Sequence, residues 1–481
     1  MTFTPRAAAA ASLASLLAGC ASVPRDSGFA DVRRTVVTET QQPVEWDPSR
    51  PVEPPDDAAV AALLQEPVTA DRAVQIAFAH NRDLQATLEE LGLARAELIR
   101  ASTIRNPIAD GEIRFPGEPA KPFEISIHQT IVDIFQLGNR KKLGRARFEA
   151  AKLRVGGAII HFAGQVRMDY WDLLAARKVL ARQGTVLKSQ EAATDLARRL
   201  HSAGNISDLD LESEQARYEQ VKLDHARAQL DELQARERLI ADLGLVQRAD
   251  LKLTDDFPAP AEAEMPAEEV ERQIVTRRLD IRMAQRDIEA ARRAVSVAKT
   301  AAFDDLEVGA HHEREPDGTR TTGPAATVPI PIFDRGAAQK TRARALLRQA
   351  QQRFAALTVT ARSEARAARE RLVEARARME YLREVVIPRR DRILKLTQLE
   401  YNAMLRGVFQ LLEARRDLAQ AQREEIVATR DYWVARTELE TALLGVARFS
   451  VRPEAAEPAR RELFAPMSQE EAKANLPGVD R

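Results

Sequence analysis

Proline is missing from two long spans of this chain, and that pattern limits its fold more than any other feature. None lies from Phe123 to Phe257, and Pro388 alone interrupts the stretch from Ile332 to Arg452. Proline inside a helix costs about 3 kcal/mol or more, so these spans are where long helices can form. Within the first span apolar residues recur every seven positions. Leu173, Leu180 and Leu187 form one row, with Val179, Val186, Ala193 and Leu200 beside it. After Gly204 the rows resume as Leu209, Ala216, Leu223 and Leu230, then as Ala226, Leu233 and Ile240. A straight helix drifts off this period, so the rows imply a supercoiled hairpin of two helices. At the break, Gly204 and Asn205 suit left-handed backbone, and Ser207 or Asp208 suits a helix cap.

Composition fits long solvated helices rather than a thick core. Charged residues make up 30% of the 481 residues and aromatics 5%. Lys plus Arg and Asp plus Glu number 72 each, so no charge excess points to nucleic acid. Thr69 to Arg100 reads as one amphipathic helix, with Thr69 as its cap and Val74, Ala77, Phe78, Leu84, Leu88, Leu91 and Leu98 as its stripe. Two period-two stretches follow, Ala109 to Phe115 and Phe123 to Ile131. The second is close to the 9–11 residues of a tilted membrane strand, though a soluble hairpin has the same alternation. Asp133 to Arg140 is expected to break that strand, with Gly138 at the bend and the long helix starting at Arg145.

The pattern then repeats. Asp280 lies 197 residues after Asp83, Gly336 198 after Gly138, Gly407 203 after Gly204, and Gly445 201 after Gly244. Four landmarks at nearly one offset indicate an internal duplication. In the second copy, Leu306 to Ala310 and Ala326 to Ile332 alternate as strands, and a second hairpin turns at Met404–Val408. Each half is therefore helix, strand pair and long helical hairpin.

The N-terminus adds a different signal. Arg6, an apolar run from Ala7 to Leu17 and small residues before Cys20 describe an export signal. Leu17-Ala18-Gly19-Cys20 resembles a bacterial lipobox, which implies covalent lipid on Cys20; no other cofactor is expected. Prolines between Pro43 and Pro55 make Ala21 to Pro67 an expected irregular tether. The division is a signal peptide at 1–19, a lipidated tether at 20–67, a first repeat at 68–245, a linker at 246–266, a second repeat at 267–445 and a tail at 446–481.

No later run reaches the ~20 apolar residues of a transmembrane helix, so a membrane crossing would use strands. Four strands do not close a barrel, and open sheet edges are not tolerated in lipid. Several copies must then share one barrel: two give eight strands, three give twelve. The 56 residues from Arg145 to Leu200 span about 80 Å, far deeper than a bilayer. Strands continued by such helices describe a conduit into another compartment.

From about Val68 to Leu444 the chain resembles the TolC-type outer-membrane efflux proteins. Carriers of the likeness are Val68-Thr69 with Ala73, Ala77, Asn81 and Leu84, then Asn106-Pro107, then Asp133-Ile134-Phe135 with Gly138. The stretch from Val328 through Pro329 and Pro331 to Gly336 is the most specific, although two prolines sit awkwardly in a paired strand. The resemblance implies a homotrimer, a twelve-stranded barrel in outer-membrane lipid and a periplasmic α-helical tunnel. It also implies a periplasmic adaptor (membrane fusion) protein and a proton-driven inner-membrane pump as partners. By the same resemblance the hairpin turns are the tunnel tip and adaptor contact: Leu200, Ser202, Gly204 and Ser207, with Leu405, Gly407 and Val408. Asp208, Asp210 and Glu413 follow the turns and would form rings of three like charges in a trimer, although a solvated helix face or a cap is the simpler explanation of them.

Met404 to Phe409 is similar to heavy-metal efflux members, which makes metal ions a candidate cargo beside drugs. The competing reading is a lipid-anchored periplasmic coiled-coil scaffold or adaptor without a barrel. For an enzyme there is no nucleophile elbow, no phosphate loop and no His-x-x-x-His pair. His311-His312, with His128 on another strand, are expected as rim residues rather than metal ligands.

Overall fold

The computed structural model describes residues 26–49, 64, 66–113, 115, 122–245 and 251–446. Cys20, the signal segment and the tail from 447 lie outside them. In chain order the described elements are α1 (Phe29–Thr40), α2 (Ala70–His80), α3 (Arg82–Ser102), β1 (Ile108–Ile113), β2 (Phe123–Thr130), α4 (Val132–Ser202) and α5 (Asp208–Leu243). The second half has α6 (Ala267–Arg277), α7 (Leu279–Ala298), β3 (Glu307–Arg314), β4 (Arg320–Thr327), α8 (Ala337–Tyr381), a π turn (Leu382–Val386), α9 (Ile387–Asn402) and α10 (Val408–Leu444). The two halves follow one plan, as the repeat offsets require.

Several boundaries differ from the sequence expectation. The irregular stretch from Ala21 to Pro67 contains α1, whose Val32 and Val36 are buried against α4. Prolines begin only at Pro43, so nothing barred a helix before it. Lys152 pairs with Asp31, and Arg277 with Glu39, so α1 is tied to both halves. The single helix from Thr69 to Arg100 is two. Thr69 caps α2 as expected, but Asn81 breaks the run and caps α3 by accepting the Leu84 N–H at 2.9 Å. Nor does a bend separate β2 from the long helix. Gly138 is helical, and α4 runs 71 residues from Val132, about 105 Å. Gly336, its repeat landmark, instead precedes α8 with φ +71. Around Pro388 the second long helix adjusts. The π turn lies just upstream, and Pro388 falls at the start of α9, where a missing N–H is tolerated.

The heptad rows divide between two surfaces. Within the first hairpin the buried residues include small ones on both arms, Ala193 and Ala197 on α4 and Ala228 and Ala235 on α5. Leu209, Leu223 and Leu230 remain exposed, so that row is not spent inside one chain. The first repeat carries the larger core, built on Phe78, Leu84, Leu88, Ile159, Leu173 and Leu243. The second is richer in alanine, with Ala361, Ala365 and Ala368 letting α8 approach α6 and α10.

At the elbow between short and long helices the repeats use different chemistry for one task. In the first, the Asn81 side-chain amide donates to the Asp242 carbonyl at the end of α5, at 3.0 Å. In the second, Arg278 donates to the Ala442 carbonyl at the end of α10, also at 3.0 Å. Arg278 is almost fully buried and bridges Asp280 and Glu364. Burial works against its charge, but these carboxylates hold its pKa above the ordinary value. Gly445, at φ +66, lies so close to the Asp280 carboxylate that a side chain there would collide with it.

Arg278→Met should therefore cost about 3–5 kcal/mol, because it strands the Asp280 charge in a buried site. Arg278→Met/Asp280→Leu should recover much of that. Thermal unfolding of the purified single and double variants checks both.

Candidate functional site

The strands form one antiparallel sheet in the order β1-β2-β3-β4. Its register sorts residues cleanly by face. Ile125 stands opposite Gly111 and His312, and Ile127 opposite Ala109 and Ala310. This face is mainly apolar, and Ile125, Ile127 and Val308 are exposed on it. On the other face Glu112, Glu124 and Glu313 share one rung, followed by Asp110, Ser126 and His311 on the next. Strand β2 has eight residues, about 27 Å along its axis and just short of the ~9–11 of a tilted membrane strand. Both edge strands, β1 and β4, lack an outer partner among the described residues.

The fourth strand lies upstream of its expected place. It ends at Thr327, and Val328 to Phe333 is not strand, so the alternation Val328-Ile330-Ile332 marks a non-strand connection. Pro329 and Pro331 carry no N–H for a ladder. Pro324 in β4 stands opposite Ala310 and likewise carries no N–H for a ladder.

His311 and His312 point to opposite faces, as neighbours on a strand must. His311 lies in the rung of Ser126 and Gly323, whereas His312 Nδ1 lies 2.7 Å from Thr322 Oγ1. The pair is thus not a chelate. Tyr170 and Trp171 are packing residues: Trp171 stacks near Trp433 at 5.1 Å, joining the two repeats.

The hairpin turns superpose in their bonding at an offset of 200 residues. Gly204 N–H donates to the His201 carbonyl and Met404 N–H to that of Tyr401; Asn205 N–H donates to Leu200 and Leu405 N–H to Glu400. Left-handed backbone is taken by Gly204 at φ +71 and by Met404 at φ +60. Gly407 is therefore the counterpart of Ser207, not of Gly204. Both precede a helix with nearly equal angles, φ −78 and ψ 163–164. The landmark offset of 203 is corrected to 200 by this bonding.

Each tip residue has a defined place. Leu200 contributes the carbonyl just described, and Ser202 donates to the Arg199 carbonyl at 2.9 Å. Ser207 caps α5 in a reciprocal box with Asp210, whose carboxylate accepts from the Ser207 N–H and hydroxyl. Asp208 lies 2.6 Å from His201 Nε2. At the second tip Leu405 is well exposed, Gly407 ends the turn, Val408 opens α10 and Glu413 is solvent-facing. The sequence placed Met404 in the turn but not in left-handed backbone, because methionine carries no signal for positive φ. Nor did it single out Arg278, since its burial depends on two distant helices, α8 and α10.

Ser207 holds the Asp210 carboxyl below its ordinary value near 3.8. A depressed carboxyl pKa contributes stability above the unfolded value and loses it as pH falls through the folded one. The first turn of α5 should therefore lose amide protection, measured against the intrinsic exchange rate at each pH, as pH falls below about 4. Ser207→Ala, which removes a cap of about 1 kcal/mol, should speed that exchange roughly fivefold at neutral pH. Hydrogen exchange read by mass spectrometry tests both.

Comparisons with known proteins agree with this geometry. The profile of a family described as "Outer membrane efflux protein" matches residues 120–245 and 271–445, one segment in each repeat. The cobalt-zinc-cadmium resistance protein CzcC of Cupriavidus metallidurans is 23% identical over 370 residues, covering 74% of this chain and 85% of CzcC. Crystal structures of CusC share 18% identity, 84% of this chain and 99% of theirs at a TM-score of 0.64. The Campylobacter jejuni CmeC outer membrane channel shares 17% identity, 83% of this chain and 90% of its own at 0.63. These structures share the fold.

Proposed function

The chain belongs to the outer membrane efflux protein family, and from that premise we propose that it is the passive exit duct of a tripartite efflux pump. One observation carries this reading: a two-faced sheet of strands up to eight residues long, open on both edges among the described residues, is joined to a helix about 105 Å long. Unpaired edges in lipid cost several kcal/mol per group, so copies must close on one another. Three copies give a twelve-stranded barrel, and the exposed Leu209, Leu223 and Leu230 row supplies a seam between hairpins. In this assembly the apolar sheet face meets lipid and the Glu112–Glu124–Glu313 face lines water.

The two tips then form the inner mouth, where Leu200, Ser202, Gly204, Ser207, Leu405, Gly407 and Val408 meet a periplasmic adaptor. Asp208, Asp210 and Glu413 ring that mouth, and a proton-driven inner-membrane pump supplies the energy. The duct itself performs no catalysis. Lipid on Cys20 anchors the N-terminus to the outer membrane. The name of CzcC supports heavy-metal ions, among them cobalt, zinc and cadmium, as the exported class.

Purified full-length protein should migrate as a trimer and conduct in planar bilayers. Monomers without conductance would return the scaffold reading. A deletion strain should become sensitive to cobalt, zinc or cadmium more than to dyes. Gly407→Asp should lower metal resistance while leaving the trimer intact, since aspartate suits that helix-capping position and any loss must arise at the mouth. Cys20→Ser should abolish incorporation of labelled lipid.

A further inference from the structure

Where strand passes into helix, both repeats leave large apolar side chains uncovered. Ile134 and Phe135 lie on the first turn of α4, and Ile332 and Phe333 just before α8; Phe135 is 75% exposed and Phe333 99%. Beyond each junction runs a stretch of cations without acids. Ile134 to Phe148 holds Arg140, Lys141, Lys142, Arg145 and Arg147 and no Asp or Glu. Arg335 to Ser363 holds seven cations and again no acid. In a chain whose charges balance overall, such runs are local choices. Arg140 is bound to Asp133. Lys141, Lys142, Arg145 and Arg335 make no ion pair among the described residues.

Helical geometry gathers these groups. At about 100° per residue, Ile134, Phe135, Lys141, Lys142 and Arg145 fall within an arc of roughly 120° on α4. Buried Asp133, Gln136 and Gly144 occupy the opposite side. Lys141 and Lys142 lie about 9–11 Å below Phe135 along the axis, and Arg145 about 15 Å. A headgroup layer is about 5–8 Å deep, and lysine and arginine stems extend their charges toward it. Apolar side chains at the acyl boundary with cations below them match the layering of a bilayer interface. A water-filled tunnel wall gives no reason to expose Ile134 and Phe135 on the same arc as the cations.

We propose that Lys141, Lys142, Arg145 and Arg335 form a cationic collar that binds the phosphate of anionic glycerophospholipids in the leaflet facing the helices. Guanidinium and ammonium groups pair with phosphate by charge-assisted hydrogen bonds. The collar sets the depth at which the barrel sits. This rests on the strands crossing the membrane, as proposed above.

The test uses the full-length trimer in detergent with added phosphatidylglycerol or phosphatidylcholine, with retained lipid read by native mass spectrometry. The native protein should retain phosphatidylglycerol about tenfold better, and salt should weaken the preference. Lys141→Gln/Lys142→Gln/Arg145→Gln/Arg335→Gln should reduce it to near parity with conductance unchanged, whereas Lys141→Arg/Lys142→Arg should keep it. Conductance with no preference in the native trimer, or a preference that survives the fourfold glutamine variant, overturns the collar alone. A native protein that neither inserts nor conducts overturns it together with the membrane reading.

Discussion

Every backbone N–H and C=O that leaves water needs a partner, and β1 and β4 each present a full edge of them. Among the described residues of one chain the sheet order β1-β2-β3-β4 leaves those edges open. In lipid the deficit is met only by closure, and only other copies of the same edges are available to meet it. The sheet's two chemistries follow from the same demand. Alternation sends Ile125 and Ile127 one way and Glu124, Ser126 and His128 the other, so a closed ring of such sheets has an apolar outside and a polar inside.

The helical half obeys a related economy. Small residues such as Ala193, Ala228 and Ala235 bring the two arms of a hairpin close, while the row at Leu209, Leu223 and Leu230 stays uncovered. A hairpin that used all its apolar rows internally would have nothing left to pack against a neighbour. The exposed row is thus the helical counterpart of the open strand edges. Both are incomplete in a single chain and complete in a ring.

The duplication is faithful in topology and loose in chemistry. Asn81 and Arg278 both tether an elbow to the carbonyls of a long helix, one with a neutral amide and the other with a buried charge. Gly204 and Met404 adopt the same left-handed angle, although only glycine adopts it without cost. The second long helix carries a π turn beside Pro388, whereas α4 runs uninterrupted. Geometry at these points is held by the repeat architecture, and residue identity is free to drift as long as some bond serves it.

Periodicity and punctuation are local properties, and from them the sequence by itself determined the long hairpins, the two-faced strands, the repeat and the resemblance to efflux channels. Prolines and seven-residue rows act through neighbours a few positions away, so they can be read without coordinates. Tertiary structure alone decided the rest. It placed α1 against α4, carried α4 back to Val132, moved β4 ahead of Pro329 and gave Met404 the left-handed backbone that Gly204 has in the first turn. It also buried Arg278 between Asp280, Glu364 and the end of α10. The docking of α1 and the burial of Arg278 depend on groups 86 or more residues apart meeting in space, and no local pattern encodes which distant carbonyl or carboxylate will be waiting.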